Sequence, residues 1–324
     1  MIAIATLLLD SYRLLKARAL FWITLSISGL VGFLYLSIGF NEDGMSLFFG
    51  LVSFEHELFR KGSELAELLY IGIFTKFIVP LWITWIAIIL GLISTASIFP
   101  DFMSEGSIEL SLSKPVSRLK IFLTKYLGSL LFMLIQVGLF TVLVFFALKL
   151  RMGTWNPSVL WMVPLSLLVF SYLYAVVVLV TVITKSTLAG ILFALLIWFG
   201  SFIMNTVEGN LYAAAYTQSQ DGDAEMQESL KRWYRASVAV YTVLPKTKQT
   251  IEFGDRLISV SGKKGFSTED FTAALLGGEG AREDLEGIDD AVRRNSGFYV
   301  IGTSLIFEGV LLSLAGWLFC RRDF

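Results

Sequence analysis

Residues 77–99 read FIVPLWITWIAIILGLISTASIF, without one Asp, Glu, Lys or Arg. Crossing the hydrocarbon core takes about 20 apolar residues as an α-helix rising about 1.5 Å per residue. The stretch lacks the polar–apolar alternation of a barrel strand. In lipid every backbone N–H and C=O has to be paired within the segment, so the reading is a transmembrane helix.

Working outward, five more runs qualify: Ala19–Phe40, Leu127–Leu148, Val159–Ile183, Ser186–Thr206 and Phe298–Phe319. Of the six, only the last contains a charged residue, Glu308. Across all 324 residues 55% are hydrophobic and 16% charged, against about 25% charged in soluble domains. The excess apolar surface must face lipid. A net charge of −1 gives no signature of nucleic-acid binding, and the single cysteine, Cys320, excludes an intramolecular disulfide or a Cys-rich metal site. Residues 1–9 are too short for a secretory leader, and Arg13, Lys16 and Arg18 follow them instead of preceding them, so the first span is expected to be retained.

Lys and Arg in the short loops set the orientation. With the N-terminus in the cytoplasm, ten fall inside (Arg13, Lys16, Arg18, Lys114, Arg118, Lys120, Lys125, Lys185, Arg321, Arg322) and five outside (Arg60, Lys61, Lys76, Lys149, Arg151). Both termini are therefore expected in the cytoplasm. Trp22, Trp82, Trp155, Trp161 and Trp317 are expected at the membrane interfaces.

The fold class expected is an all-α polytopic membrane protein. Residues 1–206 hold helices one to five, 207–297 form an extracytoplasmic segment, and 298–324 form helix six with a cytoplasmic tail. Residues 1–18 read as an amphipathic helix on the inner leaflet or as an extension of the first span. In 41–76, Phe54, Leu58, Leu65, Leu68 and Leu69 recur at helical spacing, which predicts a helix resting on the outer surface. His56, between Glu55 and Glu57, does not make a metal site, because adjacent residues on a helix point apart. Within 207–297, residues 224–244 predict a helix ended by Pro245. Ile251–Val260 leans to β, Ser267 caps a short helix through Leu276, and 279–294 form a charged helix. The segment predicts a small mixed cap, too small to be an enzyme domain.

Catalytic signatures are lacking. No G-x-x-x-x-G-K-[ST] occurs, so the chain has no phosphate cradle for ATP. No H-E-x-x-H or G-x-S-x-G occurs, and the single histidine leaves little scope for His base catalysis.

The loop 100–126 reads PDFMSEGSIELSLSKPVSRLKIFLTKY. Pro115 breaks any helix there, and Arg118, Lys120 and Lys125 suit an anionic inner leaflet. An ordinary positive-inside loop would account for the lysines but not for the Glu-Gly turn or the Lys-Pro. The string SEGSIELSLSKPVSRLKIFLTKYLG resembles the loop between spans two and three of ABC-2-type permeases. TKSTLAGILFALLIW (184–198) resembles their tight turn between spans four and five, and LFCRRDF (318–324) resembles their Arg-Arg-Asp ending. The nearest branch holds sodium-export and multicopper-enzyme-maturation permeases.

The resemblance implies a permease subunit of an ABC exporter in a bacterial or archaeal cytoplasmic membrane. A second permease copy would make a homo- or heterodimer, and a separate ABC ATPase would bind the ATP and Mg; this chain would hold no cofactor and no metal. It also implies a cytoplasmic coupling helix, with Asp101, Glu105, Gly106, Glu109, Lys114, Pro115 and Arg118 forming or bracing the ATPase contact, and with Phe102, Ile108 and Leu110 on its other side. Glu308, midway along the last span, is either a group lining the translocation path or subunit seam, or a protonated carboxyl bonded to a neighbouring helix or to Thr303 or Ser304. Gln136 and Asn205 are candidates for the same path or for interhelical hydrogen bonds. Three rivals stand beside the exporter: an ATPase-driven subunit pulling on envelope proteins through 207–297, an intramembrane enzyme, and an ion-coupled transporter needing no ATPase.

Overall fold

The computed structural model describes residues 16, 19–55, 60–103, 117–217, 224–260, 263–264 and 295–322. The amphipathic helix expected over 1–18 lies, but for Lys16, outside the described residues, as do His56 and the helices expected over 267–276 and 279–294.

Among the described residues six helices are long and apolar enough to cross a membrane: α1 (Ala19–Ser37), α2 (Leu65–Phe102), α3 (Arg118–Met152), α4 (Pro157–Thr184), α5 (Thr187–Tyr216) and α8 (Gly297–Arg321). Between α5 and α8 the described residues include two non-spanning helices, α6 (Ala224–Val243) and α7 (Thr247–Leu257). We call basal the end of the bundle where α1 and α7's neighbour α8 have their terminal residues 19 and 321, and apical the opposite end.

α4 is the axis of the bundle. About 67% of its most apolar window is buried, against 22% for α5 and for α8, which leave most of their surface to lipid. Phe170, Tyr172 and Tyr174 on α4 are fully enclosed. α4 turns into α5 over two residues: Lys185 takes a left-handed φ of 57°, and Ser186 caps α5 through Ala189 N–H at 3.3 Å. The two helices then run close at Gly190, where an added Cβ would stand 2.6 Å from Thr181 Cγ2 and 3.2 Å from the Val177 carbonyl.

α1 lies along α3, with the Phe21 and Phe132 rings 5.7 Å apart. Its apical end is held twice. Tyr35 and Tyr70 each donate a hydroxyl to the other's carbonyl, at 2.9 and 3.1 Å, with their rings stacked at 4.4 Å. Arg151, at the end of α3, donates Nε to Leu36 O at 2.8 Å, a cation on carbonyls at the negative end of α1.

Two sequence expectations are corrected. Residues 41–76 do not form a helix on the surface. A three-stranded antiparallel sheet, β1 (Gly39–Phe40), β2 (Gly44–Leu47) and β3 (Val52–Glu55), occupies the first part. The helical spacing of Leu65, Leu68 and Leu69 belongs to the start of α2, capped by Ser63 through Ala66 N–H at 3.1 Å. Residues 73–87 of α2 are wound as wide π-turns around Pro80, which lacks the N–H an α-turn needs, and Thr84 Oγ1 reaches back five residues to Val79 O at 3.0 Å. Secondly, Ile251–Leu257 is helical, not extended; only Ser259–Val260 forms a strand, paired with Lys263–Lys264. Of the five tryptophans expected at interfaces, Trp82 is buried in the core against Phe140.

α6 and α7 pack on the bundle. They form a helical hairpin that descends beside α5 and returns along α4. Tyr212 of α5 packs on Tyr234 of α6 at 5.8 Å. At the tip, Lys246 N–H donates to Ser304 Oγ at 2.9 Å. Ser304 is seven residues into α8, so the tip reaches roughly 10 Å below that helix's apical end. Gly254 of α7 presses on Met162 and Leu165 of α4, and Asn156 Nδ2 donates to Ser259 O at 2.6 Å. An ion pair of 2.6 Å joins Asp255 of α7 to Lys76 of α2.

Gly190→Val would drive a branched side chain into Thr181 and Val177, both stiff at χ1. The detergent-purified variant is expected to lose about 1–3 kcal/mol of stability, read as a lower thermal midpoint. Gly138→Ala, where an added Cβ meets nothing within 4 Å, is expected to leave the midpoint unchanged.

Candidate functional site

At the basal end, the chain around loop 104–116 enters and leaves through one block. Phe99 and Phe102 close α2, Phe122 opens α3 and Phe319 ends α8; their rings lie between 5.2 and 6.4 Å apart. Lys125 sits over the Phe102 ring at 5.2 Å. Phe102 therefore belongs to the packed block. Arg118 Nη1 donates to Cys320 O at 3.2 Å and Arg322 O at 2.8 Å, satisfying carbonyls that the end of α8 leaves open. Arg322 in turn donates to Val182 O of α4. Asp101 is exposed in the last turn of α2. Glu105, Gly106, Glu109, Lys114 and Pro115 lie outside the described residues. The aromatic block was not singled out from the sequence, although Phe99, Phe102, Phe122 and Phe319 all fall at span ends, where aromatics commonly gather.

Midway along the bundle, Glu308 is 9% exposed and bonded across two helices. Tyr126 of α3 donates its hydroxyl to Oε1 at 2.7 Å, and Ser171 of α4 donates to Oε2 at 2.9 Å. Thr303 and Ser304 instead bond backwards along α8, to Tyr299 O and Val300 O. The network continues one turn along α3: Ser129 donates to Tyr174 Oη at 2.7 Å, and Tyr174 donates to Thr95 O of α2 at 3.3 Å. The Tyr126 and Tyr174 rings stack at 5.6 Å. Two hydrogen-bonded sets, Tyr126–Glu308–Ser171 across α3, α8 and α4 and Ser129–Tyr174 with the Thr95 carbonyl across α3, α4 and α2, thus lie side by side, joined by the Tyr126–Tyr174 ring stack.

Gln136 and Asn205 are not part of it. Gln136 is ten residues beyond Tyr126, about 15 Å along α3. It is buried, and neither of its amide atoms has a hydrogen-bond partner among the described residues. Asn205 donates Nδ2 to Tyr241 Oη of α6 at 2.9 Å, so it serves the hairpin.

The hairpin encloses two features that sequence reading missed. One is a partly open chamber of about 150 Å³ between α2, α5 and α7, lined by Pro80, Thr84, Trp85, Trp198, Phe202, Thr247, Lys248, Ile251 and Glu252. Trp85 and Trp198 stack at 4.6 Å, Phe202 meets Trp85 edge-on at 5.7 Å, and the Lys248–Glu252 pair at 3.6 Å supplies the charged groups of the wall. Lys76–Asp255 lies one turn toward the apical end on both α2 and α7. The chamber wall is mainly apolar apart from the Lys248–Glu252 pair. The second feature is Lys246, fully buried beneath the tip. Its ammonium lies 5.0 and 4.9 Å from the Tyr241 and Tyr299 ring centres and 3.4 Å from the Tyr241 and Thr242 carbonyls. Burial pulls its pKa from 10.5 down to about 8, against the opposing pull of the Glu208 carboxylate. The sequence signal was a lysine directly after the helix-ending Pro245.

Residues 53–324 match the family model described as ABC-2 family transporter protein. Searches of curated proteins and of solved structures gave no match.

Tyr126→Phe removes one of the two donors to Glu308 and is expected to cost on the order of 1 kcal/mol, measured as a lower midpoint of unfolding in detergent. Lys246 sets a pH dependence whose sign is fixed. Its pKa in the folded chain lies below the unfolded value, so between about 8 and 10.5 the unfolded chain binds more protons. Stability is therefore expected to rise with pH across that window. Thermal midpoints taken through it should climb more in the wild type than in Lys246→Met.

Proposed function

The chain belongs to the ABC-2 transporter family, and from that premise we propose that it is the permease subunit of an ABC exporter, moving an amphiphilic cargo when a separate ATPase chain acts on its basal end. In this reading the basal end and both termini face the cytoplasm of a bacterium or archaeon, and the α6–α7 hairpin faces outward. ATP and Mg belong to the ATPase, and a second permease copy completes the transporter as a homo- or heterodimer. The multi-pass membrane fold and the family match support the class.

The observation that carries the coupling proposal is the rooting of loop 104–116 in the basal block. Phe102 and Arg118, next to its two ends, both touch the end of α8, and Arg322 passes the contact on to α4. A push on the loop by Glu105, Gly106, Glu109, Lys114 and Pro115, with Asp101 and Arg118 bracing its base, is then a push on four helices together. Packed helices respond to such a load by rigid-body displacement. The chamber walled by Trp85 and Trp198 is the proposed holding place for cargo on the apical side.

A second reading has an observation of its own. Met226, Trp233 and Val240 repeat every seven residues on α6 and are all exposed, an apolar stripe at the apical end. An ATPase-driven subunit that pulls on an envelope protein through this hairpin would use that face.

The test uses a Cys320→Ser background with a cysteine at Lys114 or at Glu42. Lys114→Cys is expected to react with a membrane-impermeant maleimide only after permeabilisation, and Glu42→Cys in intact cells. Labelling of position 114 in intact cells removes the ATPase from reach and ends the exporter reading. In vesicles with the ATPase bound, Arg118→Ala is expected to keep ATP hydrolysis while export of a fluorescent short-chain phospholipid falls. Wild-type hydrolysis with no export and with an envelope protein held on α6 favours the second reading.

A further inference from the structure

We propose that the β2–β3 hairpin is a lipid anchor that does not span the bilayer, its tip Phe48–Leu51 seated among acyl chains of the apical leaflet beside α1. The hairpin is apolar at one end and acidic at the other. Gly44 pairs with Glu55 at its base, next to Glu42 and Asp43 in the preceding turn, and Leu47 pairs with Val52 at its tip. The three residue steps from one pair to the other separate the ends by about 10 Å. That is enough to put the carboxylates in water while the tip is in hydrocarbon.

The tip is also hard to explain in water. Leu51 is 87% exposed, and Phe48 and Phe49 are 52% and 51% exposed, although apolar side chains of this size normally find cover. Both phenylalanines hold left-handed backbone, with φ of 52° and 59°, a region that bulky residues seldom enter and that Gly or Asn would occupy readily. A turn built this way places two aromatic rings at the cost of backbone ease, which points to the rings as its purpose. Leu51 N–H bonds to Phe48 O at 3.3 Å, so this donor of the tip is paired inside it.

Continuity with the lipid-facing surface of α1 names the occupant. The Phe49 ring packs on Phe33 at 5.0 Å, and Phe33 is four residues below the last residue of α1, hence about 6 Å beneath its apical end. Leu30, Phe33 and Leu34 are exposed on this membrane-spanning helix, so the surface that the hairpin extends is one that lipid already covers. Arg151 lies over the opposite side of the joint, 5.2 Å from the Phe49 ring centre, with Nε on Leu36 O. An arginine with its stem along apolar rings and its head at a helix end is the arrangement found at a membrane–water boundary.

The anchor is tested on the full chain in vesicles of phosphatidylcholine and phosphatidylglycerol. In the Cys320→Ser background, Leu51→Cys and Glu42→Cys each receive a nitroxide, and collision rates with oxygen and with a nickel chelate are compared. The substitution at 51 replaces a side chain in open surroundings, so the fold is retained. The oxygen-to-nickel ratio is expected to be several-fold higher at 51 than at 42. Equal ratios place the tip in water and overturn the proposal. Spin–spin broadening at 51 without the oxygen preference shows a second copy covering the tip, and overturns it as well.

Discussion

A carboxyl group in the middle of a membrane must find its hydrogen bonds inside the protein, and the packing of this chain turns on how Glu308 finds them. Tyr126 and Ser171 supply them from α3 and α4. Neither helix can turn or slide by a residue without leaving an oxygen unpaired where no water can replace the donor. The same pairing fixes α8, the most peripheral of the three. α4 then serves as the common surface: its buried hydroxyls face α3 and α8, and its aromatic rings fill the space toward α2.

From that fixed centre the two ends of the bundle are built differently. The basal end is closed by interlocked phenylalanine rings and by arginines on helix-terminal carbonyls. The apical end is covered by a hairpin that adds polar contacts, Lys246 on Ser304, Asn205 on Tyr241, Asn156 on Ser259 and Lys76 on Asp255, to its apolar packing on α4 and α5. Apolar packing of the basal kind moves as a unit, while a set of single hydrogen bonds can be exchanged for water one at a time. The apical hairpin joins both kinds, its polar contacts standing beside apolar packing on α4 and α5.

The six spans were legible because lipid enforces long uncharged runs, a signal that tertiary contacts cannot erase. Their ends were less legible. Lys149 and Arg151 read as loop residues, yet α3 runs through both, because a helix that has left the hydrocarbon keeps its own backbone bonds and needs no apolar sequence. The strands at 44–55 were hidden by the helical spacing of Leu65, Leu68 and Leu69, which borrowed Phe54 from a different element. Ile251–Leu257 reads as β by composition, but its docking on α4, with Gly254 against Met162, rewards a helix. Glu308 was visible as a lone acid in a span, whereas its partners, a tyrosine and a serine on two other helices, could not be picked from the many hydroxyls in the sequence. Gln136 was read alongside Asn205 as a bonding group; only Asn205 has a partner among the described residues.

Lys246 shows why the apical hairpin is seated and not merely adjacent. A lysine at the tip of two helices would ordinarily remain in water, and taking its charge inside opposes docking. The fold offsets this with groups that only the docked tip can reach: Tyr299 comes from α8, and the Glu208 carboxylate comes from α5. The carbonyls of Tyr241 and Thr242 come from the end of α6 itself, where a cation is favoured by the helix dipole. The stabilising groups are thus divided between the hairpin and the bundle. A displaced tip would keep its own carbonyls and lose the bundle's half of the cage, leaving the ammonium to regain water. The buried charge therefore opposes docking, and the groups contributed by α5 and α8 are what hold the tip in place against it.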